Sequence, residues 1–176
     1  MKRISPFLFL LFFSATNAFS QRADAINMAS TVFHLYPDSM VTKGSPRPAN
    51  WNYEIGVNMM GIWGLWEKIG DSVYIKYVKK IVDHFVTADG NIRTYDLTDY
   101  NADHILTGRL ILRLYDAYQN PKYKKAADLL RKQIDWQPRN RAGGFWHKLK
   151  YPAQMWLDGL YMIEPFYAEY TKRFGG

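Results

Sequence analysis

The densest run of side chains able to do chemistry is GGFWHKLKYPAQMWLDGLYMIEPF, Gly143 to Phe166. Gly143 and Gly144 break the preceding structure, and Tyr151-Pro152 keeps the chain extended. A loop holding Trp146, His147, Lys148 and Gln154 therefore leads directly to Trp156 and Asp158 at a predicted helix mouth. Together these residues form the set an acidic sugar needs. Indole faces stack on sugar rings, an ammonium pairs with a carboxylate, and a carboxyl group gives and takes a proton. The same residues also read as core tryptophans, a solvated lysine and a helix-capping Asp158. A second cluster, DYNADH from Asp99 to His104, sets Asp103 beside His104 at another predicted helix start. That pair is either a general acid/base with an orienting neighbour or a cap followed by a core histidine.

Other chemistries find no support. His34, His84, His104 and His147 show neither HxH nor HExxH spacing, so no metal site is expected. There is no GxSxG elbow and no glycine-rich phosphate loop, and no cofactor is expected. With no cysteine, zinc-thiolate sites, a cysteine nucleophile, lipoprotein anchoring and disulfides all drop out, leaving a packed core to carry stability. The net charge of +7 includes Lys2 and Arg3. The remainder fits solvated helix faces or an anionic ligand such as a uronate. Nucleic acid is not expected, because no helix-turn-helix, zinc finger or basic-aromatic sheet motif is present. Aromatics make up 16% of the chain, with six Trp and thirteen Tyr, an excess suited to stacking as well as to core.

The elements that must position these residues read as helices. Residues 1–20 carry Lys2 and Arg3, the apolar run Phe7 to Phe13 and then small residues, the pattern of a secretory signal peptide. The mature chain, residues 21–176, is expected to start near Gln21 and to be periplasmic or secreted without a membrane anchor. A helix is expected from about Arg22 to Tyr36. From Asp71 to Thr87, Tyr74, Tyr77, Val78, Ile81, Val82 and Phe85 fall at i, i+3, i+4, i+7 spacing, predicting a helix with one wet face. Pro121 to about Gln137 repeats the pattern with Tyr123, Ala126, Ala127, Leu130 and Ile134, and Pro121 suits the first turn. Alternating with these are three segments apolar around most of the circumference: Asn52 to Ile69, Asp103 to Gln119 and Asp158 to Arg173. Such helices are buried on all sides. Their glycines, Gly56, Gly61, Gly64, Gly108 and Gly159, stand where close backbone approach would be useful. The starts near Tyr53, Asp103 and Asp158 are 50 and 55 residues apart, a period that marks stacked helical hairpins or a helical toroid. Each opens with a carboxylate, Glu54, Asp103 or Asp158, which the helix dipole favours. If the three helices run parallel, these acids face one common space.

The run GGFWHKLKYPAQMWLDGLYMIEPF, with YNADH and WNYEIGV upstream, resembles the unsaturated rhamnogalacturonyl hydrolases of glycoside hydrolase family 105, over roughly residues 22–174. The resemblance implies an all-α (α/α)6 toroid, six helical hairpins with six inner helices around a central pocket. It implies release of an unsaturated uronic acid from the non-reducing end of pectin (rhamnogalacturonan) lyase products. Asp158 would be the catalytic acid/base, protonating C4 of the C4–C5 double bond, after which water adds at C5 and the hemiketal opens. Asp103 would raise the pKa of Asp158 by like-charge repulsion or orient the water. His147, Lys148 and Trp156 match positions lining the sugar subsites, Lys148 as partner of the uronate carboxylate, and Tyr53 matches more weakly. The expected partner is an unsaturated oligogalacturonide or rhamnogalacturonan oligosaccharide.

Only about the first three helical hairpins of such a ring are visible. The expectation is a partial toroid completed by self-association, by a complementing C-terminal half or by a longer gene. Two alternatives stand beside the pectin-directed enzyme: a non-catalytic carbohydrate-binding half-toroid, and an unsaturated glucuronyl hydrolase acting on glycosaminoglycan fragments.

Overall fold

The computed structural model describes residues 6–175, with side-chain surroundings for residues 21–175. The described residues form six α-helices: α1 (Pro6–Leu35), α2 (Tyr53–Ile69), α3 (Ser72–Phe85), α4 (Gly108–Tyr118), α5 (Pro121–Trp136) and α6 (Leu157–Phe174). Two short 3-10 turns, Leu97–Asp99 and Ala102–His104, precede α4. Among the described residues there is no strand beyond the isolated bridges Val86 to Ile92 and Arg139 to Phe145. The fold is all-α, as the periodicity predicts.

Local chemistry sets the helix ends. Asn52, Asp71 and Asn120 each accept the N–H two residues on, starting α2, α3 and α5. Such a cap contributes about 1 kcal/mol. Gly70 ends α2 in the left-handed region at φ 80, which glycine enters without steric penalty. The helix α1 begins earlier than expected and runs through the predicted cleavage point near Ser20. Lys2 and Arg3 of the expected signal peptide lie outside the described residues. Among the described residues, no helix is long and apolar enough to cross a membrane.

α2 packs against α3 and α4 against α5 as two hairpins, while α4 lies between α2 and α6. Every predicted apolar residue of α3 is buried, with Val78, Ile81 and Val82 fully enclosed. Gly56 lets Thr107 approach, where a Cβ would stand 2.9 Å from the threonine hydroxyl. Gly108 is tighter still: a Cβ there would meet Phe166 at 2.6 Å and Leu130 at 2.7 Å. The expectation fails at Gly61 and Gly64, whose added Cβ would have nothing within 4 Å.

Two further expectations need correction. Asp103 to Gln119 is not one helix, because bonds of the i to i+3 type run from His104 N–H on Asn101 to Leu110 N–H on Thr107, and α4 starts only at Gly108. The tightening has local causes. Asn101 Oδ1 accepts the Asp103 N–H at 3.1 Å, and the Thr107 hydroxyl donates to the Asn52 carbonyl at 2.9 Å instead of capping α4. Burial all round is realised in α4 through Leu110, Ile111, Leu112 and Leu114, but in α6 only Met162, Ile163 and Phe166 are buried. Leu157 is 86% exposed, and Leu160 and Tyr161 are also open to solvent.

Candidate active site

The loop between α5 and α6 is built from tight turns. Asn140 N–H bonds to Gly144 O at 2.8 Å and Gly143 N–H to Asn140 O at 3.0 Å. Gly143 takes the left-handed conformation this turn needs, at φ 87. The Arg139 guanidinium covers the Phe145 ring at 3.9 Å and donates to the Gly143 carbonyl. Further along, His147 N–H bonds to Gln154 O at 2.8 Å, closing residues 147–154 on themselves. The loop is docked onto the turn carrying Asp103 by Ala102 N–H on His147 O, at 2.9 Å.

This docking brings Asp103, His147 and Lys148 together. The Asp103 side chain is largely buried, and its two oxygens divide between neighbours: Lys148 Nζ lies 2.5 Å from Oδ2, and His147 Nε2 lies 3.2 Å from Oδ1. Asp158, exposed on the first turn of α6, contributes a carboxylate oxygen to the same group; one ligand atom from each of Asp103, His147 and Asp158 lies within 4.8 Å of the others. An ionised carboxylate can only accept, so His147 Nε2 carries the proton. Its Nδ1 then presents a lone pair toward Gly159, where a Cβ would lie 2.9 Å away. That glycine is needed for close approach, as its place in the sequence suggests. Burial pushes the His147 pKa below its ordinary value, outweighing the opposite pull of Asp103 and Asp158. The imidazole is therefore neutral at pH 7. Asp103, His147 and Asp158 are close enough to ligate a cation. The Lys148 ammonium already supplies the positive charge on Asp103, so the donor set favours an ion pair over a metal centre.

Trp156 is stacked with His147 (4.3 Å between centroids, 14°) and with Tyr151 (5.1 Å, 22°). Its Nε1 donates to Gln154 Oε1 at 3.0 Å. Much of its ring surface thus supports His147, while part stays exposed. A groove of about 330 Å³ beside the cluster is lined by Asp99, Asn101, Lys148, Leu149 and Lys150, a size in the range of small-molecule sites. Tyr53 and Glu54 stand exposed on the first turn of α2; Glu54 reaches the Asn52 amide and lies outside the three-residue group. The expected convergence thus holds for two acids of three.

His104 resolves the reading of the DH pair. It is buried, its ring meets Tyr95 edge-on at 5.8 Å, and its Nε2 lies 3.2 Å from Asn101 Nδ2. Asn101 Oδ1 is occupied by the Asp103 N–H, so the amide donates to His104 and the ring proton sits on Nδ1. His104 is a core histidine that orients the cap, and the cap itself is Asn101, not Asp103. Two glutamines escaped notice: Gln133 and Gln137 are buried polar residues on α5 and at its end. Their signal was available, since both continue the apolar stripe of Tyr123, Ala126, Leu130 and Ile134.

The model of Glycosyl Hydrolase Family 88 matches residues 24–176. The chain belongs to this family. It is also similar to a solved structure described as a C. acetobutylicum ATCC 824 glycoside hydrolase from family 105, with a TM-score of 0.73 and 39% identity. The match covers 88% of this chain and 39% of that one. The six helices of this family 88 chain are accordingly part of an (α/α)6 toroid, α2, α4 and α6 forming an inner arc.

Proposed function

We propose that this chain carries the catalytic acid of a glycosidase releasing an unsaturated uronic acid from the non-reducing end of rhamnogalacturonan lyase products. The observation that carries the reading is the grouping of exposed Asp158 with buried Asp103, His147 and Lys148 at the start of α6. Asp158 gives its proton to C4 of the C4–C5 double bond. Water adds at C5 while the Asp158 carboxylate takes one of its protons, restoring the acid. The hemiketal then opens and the sugar leaves. Asp103, pinned by Lys148, stands beside this acid and orients the water. Lys148 and Lys150 give the adjoining groove the charge an incoming uronate carboxylate needs, and Trp156 and Tyr53 are apolar surfaces for sugar rings. On this reading the chain is exported, acts on soluble oligosaccharide, and shares its pocket with helices covering the open faces of α2 and α6, from a second copy or a complementing half.

The test follows loss of the absorbance of the conjugated uronate when purified protein meets unsaturated rhamnogalacturonan disaccharide. Turnover is expected, with Asp158→Asn slowing it by about 10²- to 10⁴-fold, the usual worth of a positioned acid/base. Saturable binding with no decay would instead make the chain a carbohydrate-binding half-toroid. A large preference in kcat/KM for unsaturated chondroitin disaccharide would move the substrate to glycosaminoglycan fragments.

A further inference from the structure

The segment carrying Asp103 and the loop carrying His147 and Lys148 are separated by α4 and α5 in sequence, yet their backbones are fastened by a chain of buried amides. Gln133, fully buried, and Gln137, 4% exposed, lie one helical turn apart. Gln137 Nε2 donates both hydrogens to backbone carbonyls, to Tyr100 O at 2.7 Å and Trp146 O at 2.8 Å. Its Oε1 accepts from Gln133 Nε2 at 2.9 Å, whose second hydrogen goes to Asn101 O at 3.1 Å. Gln133 Oε1 accepts from the Tyr95 hydroxyl at 2.7 Å. Every donor in the relay is used, and the three carbonyls belong to Tyr100, Asn101 and Trp146. Asn101 caps the turn of Asp103, and Trp146 immediately precedes His147.

Two apolar side chains of similar volume would fill the same space but would leave the Tyr100, Asn101 and Trp146 carbonyls and the Tyr95 hydroxyl without these partners. The amides do what apolar groups cannot: they fix the distance and direction between two backbones. We infer that Gln137, set by Gln133 and Tyr95, is a positioning residue that holds the His147-Lys148 dipeptide in register with Asp103. The inference rests on the proposed function for its catalytic consequence, but its structural core is independent of it. Burial keeps the Tyr95 hydroxyl protonated by raising its pKa, so the head of the relay remains a donor throughout the working pH range.

The experiment uses the full chain with Gln137→Leu, Gln137→Glu and Tyr95→Phe, read by nitrogen-detected NMR of the His147 ring and by kinetics. In the wild type the His147 ring is expected as the neutral Nε2–H tautomer. In Gln137→Leu it should lose the Nε2–H bond to Asp103, seen as a shifted Nε2 signal and a mixture with the Nδ1–H tautomer. With turnover, kcat should fall about 10- to 100-fold with KM within about 3-fold, the size of a small misplacement of reacting groups. Gln137→Glu should lose the clamp at neutral pH and regain part of it on acidification, when a protonated carboxyl can again donate to one carbonyl. That pH-dependent rescue is not expected of a merely structural residue. Tyr95→Phe, which keeps the ring, should show a smaller change of the same sign and guards against a Gln137 variant that does not fold. Unchanged His147 signals in the folded variants would overturn the clamp. Absence of wild-type turnover would overturn the proposed function but leave the NMR result to decide the clamp.

Discussion

α4 and α6 carry similar sequence features, each with an apolar face and a glycine at its N-terminal end, yet they end in opposite environments. α4 lies between α2 and α6 and is backed by α5, so four of its aliphatic side chains are wholly enclosed. α6 touches α4, α5 and the 3-10 turn of Asp103, leaving Leu157, Leu160 and Tyr161 exposed. Position in the arc decides burial, since an inner helix needs a neighbour on each side. The exposed group on α6, together with Met155 beside it, has the character of an interaction surface.

The comparison can be tested at graded depth. Ile111→Ala on α4 should destabilise by about 2–5 kcal/mol in denaturant unfolding, because a closely packed site does not collapse around the cavity. Leu160→Ala on α6 should stay within about 0.5 kcal/mol. An equal loss at both positions would mean that α6 is covered in solution. Next in size is Gly108→Ala, expected to lose about 1–3 kcal/mol by forcing Phe166 and Leu130 aside. Gly61→Ala should gain about 0.5–1 kcal/mol, since an open helical site gains from alanine without a clash; a loss there would show that something packs on α2.

A pH-dependent effect concerns the histidines at the approaches to these helices, His104 before α4 and His147 before α6. Burial lowers the pKa of both below the ordinary 6.5. Below about pH 6.5 the unfolded chain takes up protons that the folded chain refuses, so acidification favours unfolding, by at most about 1.4 kcal/mol per pH unit for each ring. His104→Gln and His147→Gln should each flatten this part of the profile in midpoint measurements from pH 7 to 5.

What the sequence revealed depended on whether neighbours in space were also neighbours in pattern. α3 was legible to within two residues at its ends, and in all of its buried face but Ile75, because one face meets water and the other does not, and i, i+3, i+4 spacing records that contrast. The start of α4 was misread because Ile105, Leu106 and Thr107 fit a helical period, whereas Asn101 and Thr107 spend their side chains on a tighter turn. The pairing of Asp103 with Lys148 spans 45 residues, and no local period encodes it; the motif resemblance drew attention to both without showing their contact. Gln133 and Gln137 were readable in principle, as polar residues in register with a buried stripe. Gly61 and Gly64 misled because a glycine needed for a close neighbour looks the same as one without.

The hairpin-like turn of residues 139–145 is pinned at its base, where Arg139 bridges to Phe145, while Arg141 and Ala142 at its tip are exposed. A reporter dye attached through a cysteine introduced at position 142, in a chain that has none of its own, would have a single address. It would sit a few residues upstream of His147 without touching it. The turn thus gives a natural attachment point from which changes in the loop that carries His147 can be watched by fluorescence.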